Sequence, residues 1–401
     1  MFENFIKEID TSDIEQHFPV ALLSSDNQQA RKDYFYKYTV SHANLEFARE
    51  RIWRAVRNAV EQQVINLIGP SGVGKTTLLN KLETLILQTE KQNMLSNPGY
   101  IPVIQVEAGA PERGSFDWKQ DLYLDILKKL NQEFINEYSR RSKRPSTQLV
   151  SDAVQEAIIN RETKYLIIDE AQHIGIGART PEKRENQMDV LKSITNKTKC
   201  NIILAGTYKF RELLNLNEQL SRRSVPVHFE RYQLSKPNDI REFLDILIDF
   251  QSEMPVPQMP SLLEIAQELY EACLGCVGIL KPILYKALAD AIDDNAKTVT
   301  EEYIYPHIPT LKQRKKMLDE ILAGELEMEE SNEDLTEFGK SLGLARTIKQ
   351  IKQAAISTKT EEQTTSKKKT TQKKPKSKRK PGQRSPKRDY VENGEVTHIA
   401  K

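Results

Sequence analysis

The chain has 401 residues, enough for two or three domains, yet only 38% of them are hydrophobic, low for a chain folded from end to end. Its net charge of +2 averages unlike parts: residues 367–388 carry twelve Lys or Arg and no acid, and the rest holds 47 basic against 57 acidic side chains, a formal charge near −10. Absence of an apolar run of about 18 residues, of a basic-then-apolar leader and of a disulfide framework argues against a membrane span, secretion and a stapled fold, and a reducing cytoplasm is expected.

Residues 1–40 show little periodicity and read as an N-terminal extension, interrupted by the aromatic cluster Tyr34, Phe35, Tyr36 and Tyr38. From about Asn44 to Val60, Leu45, Ala48, Ile52, Ala55, Val56 and Ala59 recur at helical spacing. Just upstream, Tyr36, Tyr38 and Val40 suit either an adenine pocket or ordinary core packing, and the sequence leaves both open. The apolar run Val64-Ile65-Asn66-Leu67-Ile68 predicts a strand. Gly69-Pro70-Ser71-Gly72-Val73-Gly74-Lys75-Thr76 follows, fitting G-x-x-x-x-G-K-[ST], and then Thr77 and a helical run through Leu78, Leu79, Leu82, Leu85 and Ile86. Strand, glycine loop and helix N-terminus are the context that phosphate binding needs. Glycines let backbone N–H groups approach the anion, Lys75 reaches the β- and γ-phosphates, and the Thr76 hydroxyl ligates Mg²⁺. A nucleoside triphosphate with Mg²⁺ is therefore the expected ligand of Gly69–Thr77.

Ile101 to Val106 predicts a second strand, followed by a polar segment and a helix from about Asp121 to Tyr138. A basic patch, Arg140 to Pro145, and a short helix, Ser151 to Asn160, come next. The alternation of strands and helices predicts an α/β fold with a mainly parallel sheet between helical layers. Tyr165-Leu166-Ile167-Ile168-Asp169-Glu170 then ends an apolar strand in two acids, at the sheet edge where ligands bind in open α/β folds. Asp169 suits the metal and Glu170 suits a general base polarising water; a plain strand-to-helix cap is the bland alternative. Asn201 to Thr207 ends in a hydroxyl, making Thr207 a candidate γ-phosphate sensor. Arg222 and Arg223 lie between that strand and the next, Val225 to Phe229. They are read as a finger offered to a neighbouring subunit's site or as solvated surface charge.

From Asn238 to about Pro309 the pattern is helical only, a small lid in which Lys281 is a candidate second phosphate sensor. Cys273-Leu274-Gly275-Cys276 has the spacing of half a zinc site but no second half, so buried thiols are expected. Beyond Leu311 order is expected to decline: Glu325 to Glu337 holds seven acids, and residues from Ser357 onward lack the apolar surface to offset their ordering entropy. The expected organisation is an extension (1–40), an ATPase core (41–237), a lid (238–310), an acidic helical linker (311–356) and a disordered basic tail (357–401).

Taken together, Gly69–Thr77, Leu166–Gln172, Leu204–Thr207, Arg222–Arg223 and the helical lid resemble an AAA+ P-loop ATPase. Asp169-Glu170-Ala171-Gln172-His173 narrows the likeness to the TnsC/TniB branch, ATPase regulators of transposons with target selection. The resemblance covers about residues 40 to 310 and departs from the pattern at Lys281, where an arginine is commoner. It implies a bacterial, DNA-associated protein that binds ATP and forms homo-oligomeric rings or filaments on double-stranded DNA. It also implies a link between a transposase and a target-selection protein or RNA-guided complex, with hydrolysis driving disassembly. By the same resemblance Lys75 and Thr76 bind phosphate and Mg²⁺, Asp169 supports the metal, Glu170 activates water, and Arg222 or Arg223 completes a neighbour's site.

DNA contacts inside such an assembly are mostly to phosphates. Two polar loops carry the candidates: Arg113 and Lys119 in one, Arg179, Lys183 and Arg184 in the other, each equally readable as solvated charge. The basic tail reads as a DNA tether, a transposase contact or a solubilising end. Rival functions are a helicase, a replication-initiator or clamp-loader type switch, and a DNA-independent signalling scaffold.

Overall fold

The computed structural model describes residues 2–9, 14–23, 27–59, 63–112, 114–131, 146–215, 224–328, 332–342, 390–392 and 395–397. They fall into two units, residues 1–329 and 330–401. The first begins with α1 (Phe2–Ile6), α2 (Gln28–Lys37), α3 (Ala43–Arg57), β1 (Val64–Ile68), α4 (Lys75–Thr89), α5 (Lys91–Ser96) and β2 (Val103–Glu107). It continues through α6 (Leu124–Lys129), α7 (Thr147–Asn160), β3 (Tyr165–Asp169), α8 (Pro181–Thr198), β4 (Asn201–Gly206), α9 (Tyr208–Asn215) and β5 (Ser224–His228). The lid helices are α10 (Pro237–Ser252), α11 (Ala266–Cys273), α12 (Val277–Asp293) and the short α13 (Glu301–Ile304), and α14 (Leu311–Met328) closes the unit. The second unit contributes α15 (Asn332–Ser341) and an antiparallel strand pair, β6 (Tyr390–Glu392) and β7 (Glu395–Thr397).

The five strands of the first unit form one parallel sheet in the order β2-β3-β4-β1-β5. Apolar runs such as Val64–Ile68 and Asn201–Gly206 are buried at every position, as a sheet covered on both faces requires. One layer packs residues of α6, α7 and α8, including Ile126, Val154 and Leu191, against Ile168 and Leu204. The other packs α3 and α4, through Ile52, Val56, Leu78 and Leu82, against Ile65, Leu67 and Ile203. Register levels the strand ends: Ile68 pairs with Gly206 and His228, and Glu107 pairs with Asp169. The fold is thus a parallel α/β sheet between helical layers, followed by a helical lid.

The lid core is built around Phe243, Leu247, Leu280 and Leu284, and the chain's first residues pack into it. Phe35 is fully buried there, Arg31 Nε donates to Pro255 O at 2.8 Å, and Lys32 pairs with Asp293 at 2.5 Å. Three differences from the sequence reading have physical causes. The helix expected over 121–138 starts instead as a π turn, Lys119–Tyr123, leading into the short α6. Asp117 accepts the Lys119 N–H at 3.0 Å and so starts the turn two residues early; residues 132–145 lie outside the described residues. Order persists beyond Leu311, because Met317, Ile321, Gly324 and Met328 recur at helical spacing and face the body. In the tail, Tyr390, Val391, Val396 and Thr397 are aromatic or β-branched and pair as strands. The remainder of the tail, including the twelve cations of residues 367–388, lies outside the described residues.

Among the described residues no single helix is long and apolar enough to cross a membrane. The three cysteines are buried thiols, and no metal-holding group of three or more His, Cys, Asp or Glu exists among the described residues. Burial pushes the Cys276 and Cys200 thiols up to about 12, away from the thiolate that a metal needs.

Candidate nucleotide site

The site forms where β1, β3 and β4 end side by side. After Ile68 the chain turns through Gly69-Pro70-Ser71-Gly72-Val73-Gly74 into α4, whose N-cap is Gly74. Gly74 has φ 114°, a conformation that a side chain resists, so glycine lets the loop turn directly into a helix N-terminus. That end of α4 presents backbone N–H groups and the positive pole of the helix, an anion site by construction. Lys75 is the first residue of α4 and is buried; its ammonium donates to the carbonyls of Gly69 at 3.0 Å and Pro70 at 2.9 Å. Burial pulls its pKa down, while Glu170 and Asp169 hold it up in part.

The lid closes on the loop at one point. A Cβ on Gly278, in the first turn of α12, would lie 2.5 Å from the Gly72 carbonyl oxygen, so glycine there lets helix and loop touch backbone to backbone. Under the loop, the Phe229 ring lies against Gly74 and stacks with the His42 ring at 6.3 Å and 26°.

Two motifs 93 residues apart meet through side chains: Thr76 Oγ1 donates to Asp169 Oδ2 at 2.6 Å. The other Asp169 oxygen accepts the Glu170 N–H at 2.9 Å. Glu170 itself sits in the left-handed region at φ 53°, unusual for a residue with a side chain and a strain that the surroundings must hold. Those surroundings are specific: the following 3-10 turn, Ala171–Gly175, is pinned by His173 Nδ1, 2.8 Å from Ala108 O. Gln172 donates from Nε2 to the Glu170 carboxylate and accepts the Thr207 N–H at 3.1 Å. Thr207 Oγ1 is buried without a hydrogen-bond partner, an orphan that a phosphate oxygen or a water would satisfy. A cavity of about 200 Å³ lies against Pro70, Ser71 and Thr207, with Met317, Ile321 and Gly324 of α14 on its other wall.

The donor set fits a nucleoside triphosphate with Mg²⁺. It combines an anion-binding loop, a buried ammonium, a hydroxyl–carboxylate pair suited to a hard cation, and an unsatisfied hydroxyl beyond them. The structure thus gathers Gly69–Thr77, Asp169, Glu170 and Thr207. Lys281 donates its ammonium to the carbonyls of Tyr36 at 2.8 Å and Tyr38 at 2.5 Å, fastening the N-terminal segment to α12. Val40 is buried in the lid core, Tyr38 packs on Phe250, and Tyr36 is exposed with its edge on Tyr285. Arg222, Arg223 and Arg113 lie outside the described residues.

The two loops read as DNA-facing come together. Phe116 N donates to Ile176 O at 3.0 Å, and Trp118 Nε1 donates to Gln187 of α8. Arg179 and Lys183 are exposed there, Lys119 is half-buried, and Arg184 Nε donates to Ala178 O at 3.0 Å. Gln172 is the residue whose role the sequence reading passed over. Asp-Glu-Ala-Gln displays it, but its partner Thr207 lies 35 residues away and no spacing rule joins them.

Residues 28–234 match the family model described as Bacterial TniB protein. No curated protein matches the sequence. Among solved structures, the Walker-type ATPase PABY2304 of Pyrococcus abyssi is 15% identical over 70% of this chain and 73% of that one, with a TM-score of 0.38. Cdc6p from Pyrobaculum aerophilum is 15% identical over 74% and 69%, with a TM-score of 0.43. Domain III of the Thermotoga maritima replication initiation protein DnaA is 15% identical over 72% and 97%, with a TM-score of 0.39. Nothing about this chain's activity follows from likeness at that level.

Proposed function

The chain belongs to the TniB family, a transposition-associated branch of the AAA+ ATPases, and from that premise we propose that it hydrolyses ATP to time its own assembly on duplex DNA. In this reading homo-oligomers bound to ATP form on DNA and present the transposase with a target marked by a selection protein or an RNA-guided complex. Hydrolysis then takes the assembly apart. The observation that carries the hydrolysis is the bond from Thr76 to Asp169, which unites the phosphate loop and the acid strand at one point.

Thr76 and Asp169 would hold Mg²⁺, which supplies neutralising charge to phosphate oxygens. Lys75, already buried at the mouth of the loop, trades its two carbonyl partners for phosphate oxygens without further desolvation. Glu170 takes the proton of the attacking water, and Thr207 offers its unpaired hydroxyl to the end of the triphosphate. Arg222 or Arg223 completes the site of the adjacent subunit, where positive charge stabilises the departing phosphoryl group. Lys119, Arg179 and Lys183 form the DNA-facing surface; the tail's cations add salt-dependent attraction.

Electron microscopy of the full chain with duplex DNA tests the reading. Ordered assemblies on DNA with ATP that are lost with ADP support it. Oligomers indifferent to DNA would replace it with a protein scaffold, and the absence of nucleotide-dependent assembly would overturn it.

A further inference from the structure

We propose that Gln172 is a positioning residue for hydrolysis, its amide tying the Glu170 carboxylate to the end of β4. The proposal rests on the hydrolysis reading above and deepens it.

The chemistry of the two partners restricts what can join them. Glu170 offers a carboxylate, which only accepts; Thr207 offers a backbone N–H, which only donates. An uncharged linker must therefore present a donor to one and an acceptor to the other. The Gln172 amide does both, with Nε2 on Glu170 and Oε1 on the Thr207 N–H at 3.1 Å. The partners also fix which way the amide faces, since the flipped form would set oxygen against carboxylate and N–H against N–H.

Placement gives the link its consequence. Glu170 occupies left-handed backbone at φ 53°, so its side-chain direction depends on what holds it from outside. Gln172 binds one carboxylate oxygen, Oε2, and leaves Oε1 to accept a proton. At its other end it holds the main chain of the residue whose hydroxyl is buried and unpaired. Gly206 leaves room for the amide: a Cβ there would lie 3.0 Å from Gln172 Oε1 and 2.8 Å from the Phe210 side chain. His173, held at Ala108 O, fixes the turn from the opposite side. A displacement of Thr207 on engaging phosphate is therefore passed to the base through one amide.

The test is steady-state ATPase kinetics of the full chain, with melting temperature and nucleotide binding measured alongside. Gln172→Met keeps the length and loses both bonds; kcat should fall roughly 10- to 100-fold, with KM within about threefold of wild type. Gln172→Glu keeps an acceptor for the Thr207 N–H but sets a second carboxylate beside Glu170. Its kcat should fall by a similar factor while melting temperature and nucleotide binding stay near wild type. A merely structural role would lower melting temperature or nucleotide binding together with kcat. A normal kcat in Gln172→Met overturns the proposal, as does a normal kcat in Gln172→Glu, which also decides the matter if Gln172→Met proves unstable. Glu170→Gln run in parallel separates the two readings: full activity there overturns the hydrolysis assignment itself.

Discussion

The phosphate edge and the lid are held together in opposite ways. At the edge, the chemistry comes from short consecutive runs, Gly69–Thr77 and Asp169–Glu170, and parallel register delivers their ends to one place. Around the lid, the fastenings are single side chains from distant segments. Arg31, Lys32 and Lys281 bind the chain's beginning to α10–α12, and Arg231 binds α14. Arg231 makes a two-pronged pair with Glu325, 2.8 and 3.0 Å, and also donates to Tyr270 Oη and Leu274 O. Chemistry is therefore concentrated in motifs, whereas the closure over that chemistry is spread across the chain. Damage to the first should remove activity and leave the fold; damage to the second should do the reverse.

The largest effects should come at the edge. Lys75→Ala removes the buried ammonium at the mouth of the loop, and ATPase activity should fall about 10²–10³-fold or more. Nucleotide-dependent assembly should go with it. Glu170→Gln should lower turnover by about 10²–10⁴-fold while nucleotide still binds, trapping the ATP-bound assembly. Circular dichroism melts of both variants should stay close to wild type. A large loss of melting temperature in Lys75→Ala would show that loop and fold are not separable as described.

The contrast also explains what could be read in advance. Phosphate binding imposes both residue type and spacing on one stretch, so the loop, Thr76 and Asp169 were legible, as was the parallel α/β sheet from its buried strands. Arg231 and Glu325 lie 94 residues apart, and neither stands out among the chain's many charges. The helix carrying Glu325 was obscured by composition: four acids and four bases crowd it, while its body-facing stripe rests on Met317, Ile321, Gly324 and Met328. Helical spacing at those four positions was the available signal. Gly324 seats the helix on the Tyr208 ring, where a Cβ would lie 2.1 Å from it.

At the lid the expected effect is on stability. Glu325→Ala strands the Arg231 guanidinium, only 10% exposed, without its carboxylate and should cost about 3 kcal/mol. Limited proteolysis should then cut within α14 before other helices. Glu320→Ala, also on α14, removes the exposed pair with Lys209 of α9 and should cost about 0.5 kcal/mol or less. Equal losses in chemical denaturation would mean that α14 is held by its apolar stripe, and the Arg231 clasp would lose its special place.

Smaller than the loss at the Arg231 clasp, and dependent on pH, is the effect expected at His42, which belongs to both regions. It caps α3 by accepting the Leu45 N–H at 3.3 Å, lies 2.9 Å from Tyr232 Oη on the way to the lid, and stacks on the Phe229 ring under the loop. Burial first, and Lys81 second, lower its pKa to about 4, with Glu46 opposing. The imidazole is thus neutral in the fold and gains a proton more readily when unfolded. Its contribution is fully present above about pH 6.5 and is lost as pH falls toward about 4, a drain of up to about 3 kcal/mol. Several lid carboxylates shift the other way: burial raises Asp245 and Asp249, so the whole-protein slope mixes signs. A difference between variants isolates the imidazole. His42→Asn keeps a good helix cap and removes the titration, so it should cost about 1 kcal/mol at pH 7.5. Between pH 6.5 and 4 the gap should close and then reverse, because the variant has no buried base to protonate on unfolding. Parallel stability–pH curves for the two proteins would place a charged imidazole in the fold, and the joint between loop and lid would then need an acid acting on His42 more strongly than Glu46 does.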